Sequence, residues 1–124
     1  MERIHSISEN TAKAMQCEVD CVVRPLYPPT INHATEAEHI RRLAEKWFGP
    51  EHTTDYDLPM TASEDFSYFL LEKPGCFFML GTLKPGAIPT TLHTSDYNFN
   101  DDVLASGGYF WVRLVEDRLG VTLI

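Results

Sequence analysis

Apolar and polar positions along this chain change period several times, and each change predicts an element. Between Ile4 and Met15, the residues Ile4, Ile7, Ala12, Ala14 and Met15 recur among polar neighbours and predict a short helix, or the end of a longer one. From Cys17 to Arg24 the period drops to two: Cys17, Val19, Cys21 and Val23 face one way, Glu18, Asp20 and Arg24 the other. Such alternation predicts a half-buried strand. No start signal precedes the first helix, so Met1 reads as an arbitrary beginning.

Prolines govern the next stretch. Leu26-Tyr27-Pro28-Pro29-Thr30-Ile31-Asn32 is expected to be extended, because each proline biases its predecessor away from helix. It is the natural crossing between two structural units. A helix is predicted from Thr35, with Glu36 and Glu38 in its first turn and an apolar stripe of Ala37, Ile40, Leu43, Ala44, Trp47 and Phe48. Gly49-Pro50 ends it.

Thr53 to Leu58 suits a short strand. Ser63-Glu64-Asp65-Phe66 reads as an N-cap and two first-turn acids, opening a helix to about Leu71 that Pro74-Gly75 closes. Cys76-Phe77-Phe78-Met79-Leu80 is continuously apolar and predicts a strand buried on both faces. Lys84 to Thr91 is loop. Asn100 is expected to cap a helix from Asp101 to Leu119, ended by Gly120, with a buried stripe of Leu104, Gly108, Trp111, Leu114 and Val115. Gly107 and Gly108 weaken that helix, and close packing against a neighbour is the expected reason.

Strands interleaved with helices define an α/β class with a buried sheet. Few strands are visible for a sheet of that kind, so the core reads as incomplete. At 124 residues the chain suffices for one domain. Its formal charge of −8 disfavours nucleic acid and anionic membranes, which demand basic patches. Three cysteines are an odd number, and Cys17 and Cys21 on one strand would stand roughly 13 Å apart, beyond disulfide reach. They read as small buried hydrophobes of a reducing compartment. No apolar run is long enough to span a membrane and Met1-Glu2-Arg3-Ile4-His5 opens no signal peptide, so a cytoplasmic location is expected.

Candidate chemistry centres on His93, in Leu92-His93-Thr94-Ser95-Asp96, a loop before the last helix. Neutral imidazole is a common metal ligand, and Asp96, Asp101 or Asp102 could orient its ring. A loop histidine bonded to backbone is the competing reading, and no HxxxH, HxH or CxxC spacing completes a site. Ser63, Glu64 and Asp65 fit either a general base or metal ligand, or simply a capped helix start. His5, His33, His39 and His52 are scattered and read as structural, and Cys76 reads as core rather than nucleophile.

Three stretches, taken in order, carry a resemblance: Tyr27-Pro28-Pro29-Thr30-Ile31-Asn32; Ser63-Glu64-Asp65-Phe66 with Pro74-Gly75-Cys76-Phe77-Phe78-Met79-Leu80-Gly81; and Leu92-His93-Thr94-Ser95 with Phe99-Asn100-Asp101-Asp102. Their succession resembles the C-terminal part of M20 metallopeptidases, above all the amidohydrolases acting on hippurate, N-acyl amino acids and auxin conjugates. The resemblance implies that residues 1–24 end an α+β lid or dimerisation domain and that 25–124 form the C-terminal part of a two-metal catalytic domain. It implies that His93 is the last metal ligand and that Ser63, Glu64 and Asp65 lie near the active site. Zinc, manganese or cobalt would be the metal and a small amide the substrate. The other ligands and the general base would belong to segments that these residues do not include, so no catalytic residue is assigned here and this chain alone is expected to be inactive and to hold no metal stably. The alternative is a non-catalytic assembly module, dimerising through the lid remnant.

Overall fold

A computed structural model describes residues 1–123. Four helices account for its regular structure: α1 (Glu2–Ala14), α2 (Ala34–Phe48), α3 (Phe66–Glu72) and α4 (Val103–Leu119), with a 3-10 turn at Pro50–His52. Most boundaries match the sequence signals. Gly49 at φ 92° ends α2 and Gly120 at φ 65° ends α4, conformations that disfavour side chains bearing a Cβ.

The N-terminal signals shift inward. Asp65, not Ser63, precedes α3, and the Glu64 carbonyl accepts both the Ser67 amide at 3.2 Å and its hydroxyl at 2.7 Å. Ser67 is thereby fully buried. Likewise α4 begins after Asp102, while Asn100 accepts the Asp102 amide through its side chain at 3.1 Å and the Val103 amide through its carbonyl at 3.2 Å. Asn100 thus organises the turn before the helix instead of capping it.

No strand forms among the described residues, so the expected α/β sheet is not present in these 123 residues. Cys17 to Arg24 has the alternation of a strand but no second segment pairs with it. Thr53 to Leu58 is a turn, because the Thr54 hydroxyl takes the Tyr56 amide at 3.0 Å and the Asp55 carbonyl takes that of Leu58 at 3.2 Å. The physical reason is common to the first segment and to Cys76 to Leu80. An extended backbone becomes a strand only when a neighbour exchanges hydrogen bonds with it.

Packing is concentrated where α2, α4 and residues 75–78 meet. Phe110 is 5% exposed and sits 5.7 Å from Phe48 and 5.3 Å from Phe78, centroid to centroid. Phe78 also reaches Trp111 at 5.5 Å, and Phe77 reaches Phe66 at 5.8 Å. Offset and edge-on rings at such distances add to simple area burial. Across the helix pair, Trp47 meets Tyr109 edge-on at 5.7 Å, and the Arg113 guanidinium lies over both rings at 4.5 and 4.6 Å. His39 faces Asp117 at 3.2 Å, and Glu36 pairs with Arg118.

The α2 stripe behaves as its pattern predicts, with Leu43 buried and Ala37, Ile40, Ala44, Trp47 and Phe48 half-buried. The α4 stripe does not. Leu104, Trp111 and Val115 are exposed, while Phe110 and Glu116 are the buried residues. Glu116 tolerates burial because Arg113 donates to one carboxylate oxygen at 2.5 Å and the Leu123 amide to the other at 2.5 Å. Close packing explains one of the two glycines: a Cβ on Gly107 would stand 3.3 Å from Leu80, whereas Gly108 has open space.

Only Leu43, Leu70 and Phe110 form a buried apolar core among the described residues. The accessible surface is 10566 Å². A compact protein of 14.1 kDa would expose about 6,700 Å². The expected incompleteness of the core is therefore visible as exposed area.

Candidate functional site

His93 stands in the irregular chain between Lys84 and Asp102, and its backbone is left-handed at φ 66°. For a residue with a Cβ this conformation costs of order 1 kcal/mol. Local bonds hold the turn around it. The Thr94 hydroxyl donates to the Thr91 carbonyl at 2.7 Å, and the Tyr97 amide donates to the Thr94 carbonyl at 3.2 Å. The imidazole itself is exposed.

None of the three carboxylates expected to orient His93 touches it. The Thr94 hydroxyl and its own backbone N–H hold the Asp96 carboxyl below the usual range. One hydroxyl proton serves one acceptor at a time, so Asp96 and the Thr91 carbonyl compete for it. Asp102 pairs with Lys84 at 2.7 Å, and the Asp101 carbonyl receives the Leu104 amide at 3.1 Å. Asp102 thus ties the loop to Lys84 and leaves His93 alone.

Ser63, Glu64 and Asp65 sit at the entrance of α3, Glu64 half-buried and the others exposed. Their visible work is structural, through the Glu64 carbonyl and Ser67. Among the described residues no hydrogen bond or ion pair joins them to His93. No group of three or more His, Cys, Asp or Glu side chains there is placed to hold a metal ion.

Asn32, which ends the first of the three motifs, and His33, expected to be structural, do long-range work that the pattern does not foretell. The Asn32 side chain accepts the Phe77 amide at 2.7 Å and donates to the Phe77 carbonyl at 2.8 Å. His33 accepts the Gly75 amide on Nδ1 at 3.2 Å and gives its own amide to the Gly75 carbonyl at 3.1 Å. These side chains replace the backbone of a neighbouring strand, and nothing local to Asn32 or His33 signals a partner some 42–45 residues away. Cys76 lies in the same segment, and burial pushes its thiol above the ordinary range. That favours the thiol over the thiolate at neutral pH.

Comparison with known proteins decides the family. The model of peptidase family M20/M25/M40 matches residues 4–117. The chain belongs to this peptidase family. Among curated M20 relatives, it is 27% identical to the hippurate hydrolase of Campylobacter jejuni, over 91% of this chain and 28% of that protein. It is 27% identical to IAA-amino acid hydrolase ILR1-like 2 of Arabidopsis thaliana, over 86% of this chain and 25% of that enzyme. Thermostable carboxypeptidase 1 of Saccharolobus solfataricus is 32% identical over 73% of this chain and 22% of its own length. This M20 chain thus spans about a quarter of the length of these relatives. No solved structure matches it.

Membership in the M20 family implies divalent metal use by its enzymes generally. The described residues do not make up such a centre, because no three His, Cys, Asp or Glu side chains among them come together to hold an ion. Among the described residues no helix is long and apolar enough to cross a membrane.

Proposed function

We propose that this chain is the C-terminal part of a metal-dependent amidohydrolase that cleaves N-acyl amino acids or similar amide conjugates. Residues 1–24 are the end of its lid or dimerisation domain, and 25–124 the C-terminal part of its catalytic domain. His93 contributes one ligand to a divalent metal, zinc, manganese or cobalt, and Ser63, Glu64 and Asp65 lie beside the active site. The remaining ligands and the base come from other segments of the parent enzyme.

One observation carries this reading. An M20 match over residues 4–117 contains an exposed histidine whose backbone is held in a costly left-handed turn by its neighbours. Backbone strain concentrates where a side chain must be aimed. A single imidazole offers a divalent ion one bond, whereas catalytic sites use three protein ligands and keep one position open. The isolated chain therefore hydrolyses nothing and holds no metal stably.

The test is an assay of the purified 124-residue chain with added zinc, manganese or cobalt, on hippurate and on N-acetyl amino acids. No turnover above the metal-only control is expected. Steady turnover that rises with protein concentration would contradict the reading.

A further inference from the structure

We infer that Thr94 is the positioning residue of His93: its hydroxyl closes the turn of residues 91–94, and that closure keeps the His93 backbone left-handed and sets the direction in which the imidazole is presented. This role rests on the reading of His93 as a metal ligand and names the side chain that aims it.

Leu92 and His93 are the central residues of the turn between Thr91 and Thr94, and His93 has φ 66°. A positive φ at the third position of a turn is ordinarily supplied by Gly or Asn, because a Cβ crowds the backbone there. Histidine has no such freedom, so its neighbours must hold it. The imidazole does not hold itself: among the described residues it makes no hydrogen bond or ion pair.

Two bonds of Thr94 enclose the residue. The Thr94 hydroxyl donates to the Thr91 carbonyl at 2.7 Å, across His93, and the Thr94 carbonyl accepts the Tyr97 amide at 3.2 Å on the far side. The first bond ties the two ends of the turn together and is the one that constrains His93. A net hydrogen bond is of the same order as the cost of one left-handed residue, so its loss tips the balance instead of merely weakening it. Thr94 is itself exposed, so packing does not explain its place. Donor, acceptor and the residue they enclose all lie within Thr91 to Thr94, so the device is complete in this chain. The Asp96 carboxyl competes for the same proton. Removing that competitor leaves the hydroxyl wholly to Thr91.

The intraresidue nuclear Overhauser effect between the amide and α protons is strong only at positive φ, and it reads His93 directly in the 124-residue chain. A strong effect is expected in the wild type, in Thr94→Ser and in Asp96→Ala. In Thr94→Val, which keeps the shape and removes the hydroxyl, it should fall by about half or more. Gln16, at φ 55°, should keep its own strong effect in every variant. Zinc affinity gives a second readout, in a chimera where residues 4–117 replace the aligned stretch of the Campylobacter jejuni hippurate hydrolase. There Thr94→Val should weaken zinc binding about tenfold, as loss of a group that orients a ligand does, and Thr94→Ser should restore it. A weak effect at His93 in the wild type, a strong one that survives Thr94→Val, or one that Asp96→Ala abolishes would each overturn the inference. Zinc binding that falls in His93→Ala but not in Thr94→Val would overturn it alone. Zinc binding unchanged by His93→Ala would overturn the ligand reading and the role of Thr94 with it.

Discussion

Helices α1 and α4 both carry apolar residues at helical spacing, and they meet different surroundings. In α4, Phe110 is locked between Phe48 and Phe78, and Arg113 bridges the rings of Trp47 and Tyr109. In α1, Ile4 and Ile7 are 50% and 59% exposed, no residue is buried, and no other helix packs against it. Amphipathic pattern is thus enough to make a helix, whereas burial needs a partner surface. Helix formation is local; core formation is not.

The contrast between the two helices is largest at Phe110. Replacing it with Ala should cost about 3 kcal/mol, the usual range for a buried aromatic ring. With so small a core, that loss should abolish a cooperative urea transition. Ile7→Ala in α1 should change stability by less than about 0.5 kcal/mol, as exposed positions do. Equal effects at the two sites would mean that α1 is packed after all.

A smaller effect marks the boundary of the packed region. Asn32→Ala removes two bonds to Phe77 and should cost about 1–2 kcal/mol. Asn10, whose side chain makes a 3.4 Å contact to Ser6 on α1, should tolerate Ala within measurement error. Amide exchange should report the same contrast, with Phe77 and Gly75 N–H groups slower than those of residues 18–24.

Smallest is the pH response of the His93 loop. Asp96 is fully exposed, and its carboxyl is held below the ordinary range by the Thr94 hydroxyl and its own N–H. A lowered folded-state value means the contribution is complete above the unfolded-state value and is lost as pH falls through the folded one. Acidification through that window should remove the Asp96 contribution and leave the Thr94 hydroxyl to the Thr91 carbonyl, without unfolding α2 or α4. Carbon-detected NMR titration should show a low Asp96 midpoint that Thr94→Val raises toward the ordinary range, the bond from its own N–H remaining. An unchanged midpoint in Thr94→Val would remove Thr94 as the cause.

Legibility in the sequence divides along the same line. The α2 stripe, the glycines that stop α2 and α4, and the loop position of His93 depend on neighbours within a few residues, and pattern alone locates all of them. The strands expected at Cys17 to Arg24 and Cys76 to Leu80 do not form, because pairing requires a second segment that these residues do not supply. The α4 face departs from its pattern for a related reason: Leu104 and Val115 continue the stripe, yet Phe78 and Phe48 reach only Phe110 and its surroundings. The clamp of Asn32 and His33 on residues 75–77 has no local signature, since it joins residues distant in sequence. At the site, the left-handed backbone of His93 lies beyond pattern reading too, although the ordered motifs around it suffice to point to the M20 family.

If His93 is a metal ligand awaiting partners from the rest of an M20 enzyme, restoring those partners should restore its use. A chimera in which residues 4–117 replace the aligned stretch of the Campylobacter jejuni hippurate hydrolase does this, compared with the same chimera carrying His93→Ala. Hippurate hydrolysis is expected of the first. In the second, kcat/KM should fall at least about a hundredfold, with bound metal reduced and circular dichroism unchanged. Equal activity and metal content in the two chimeras would contradict the assignment of His93 as a ligand.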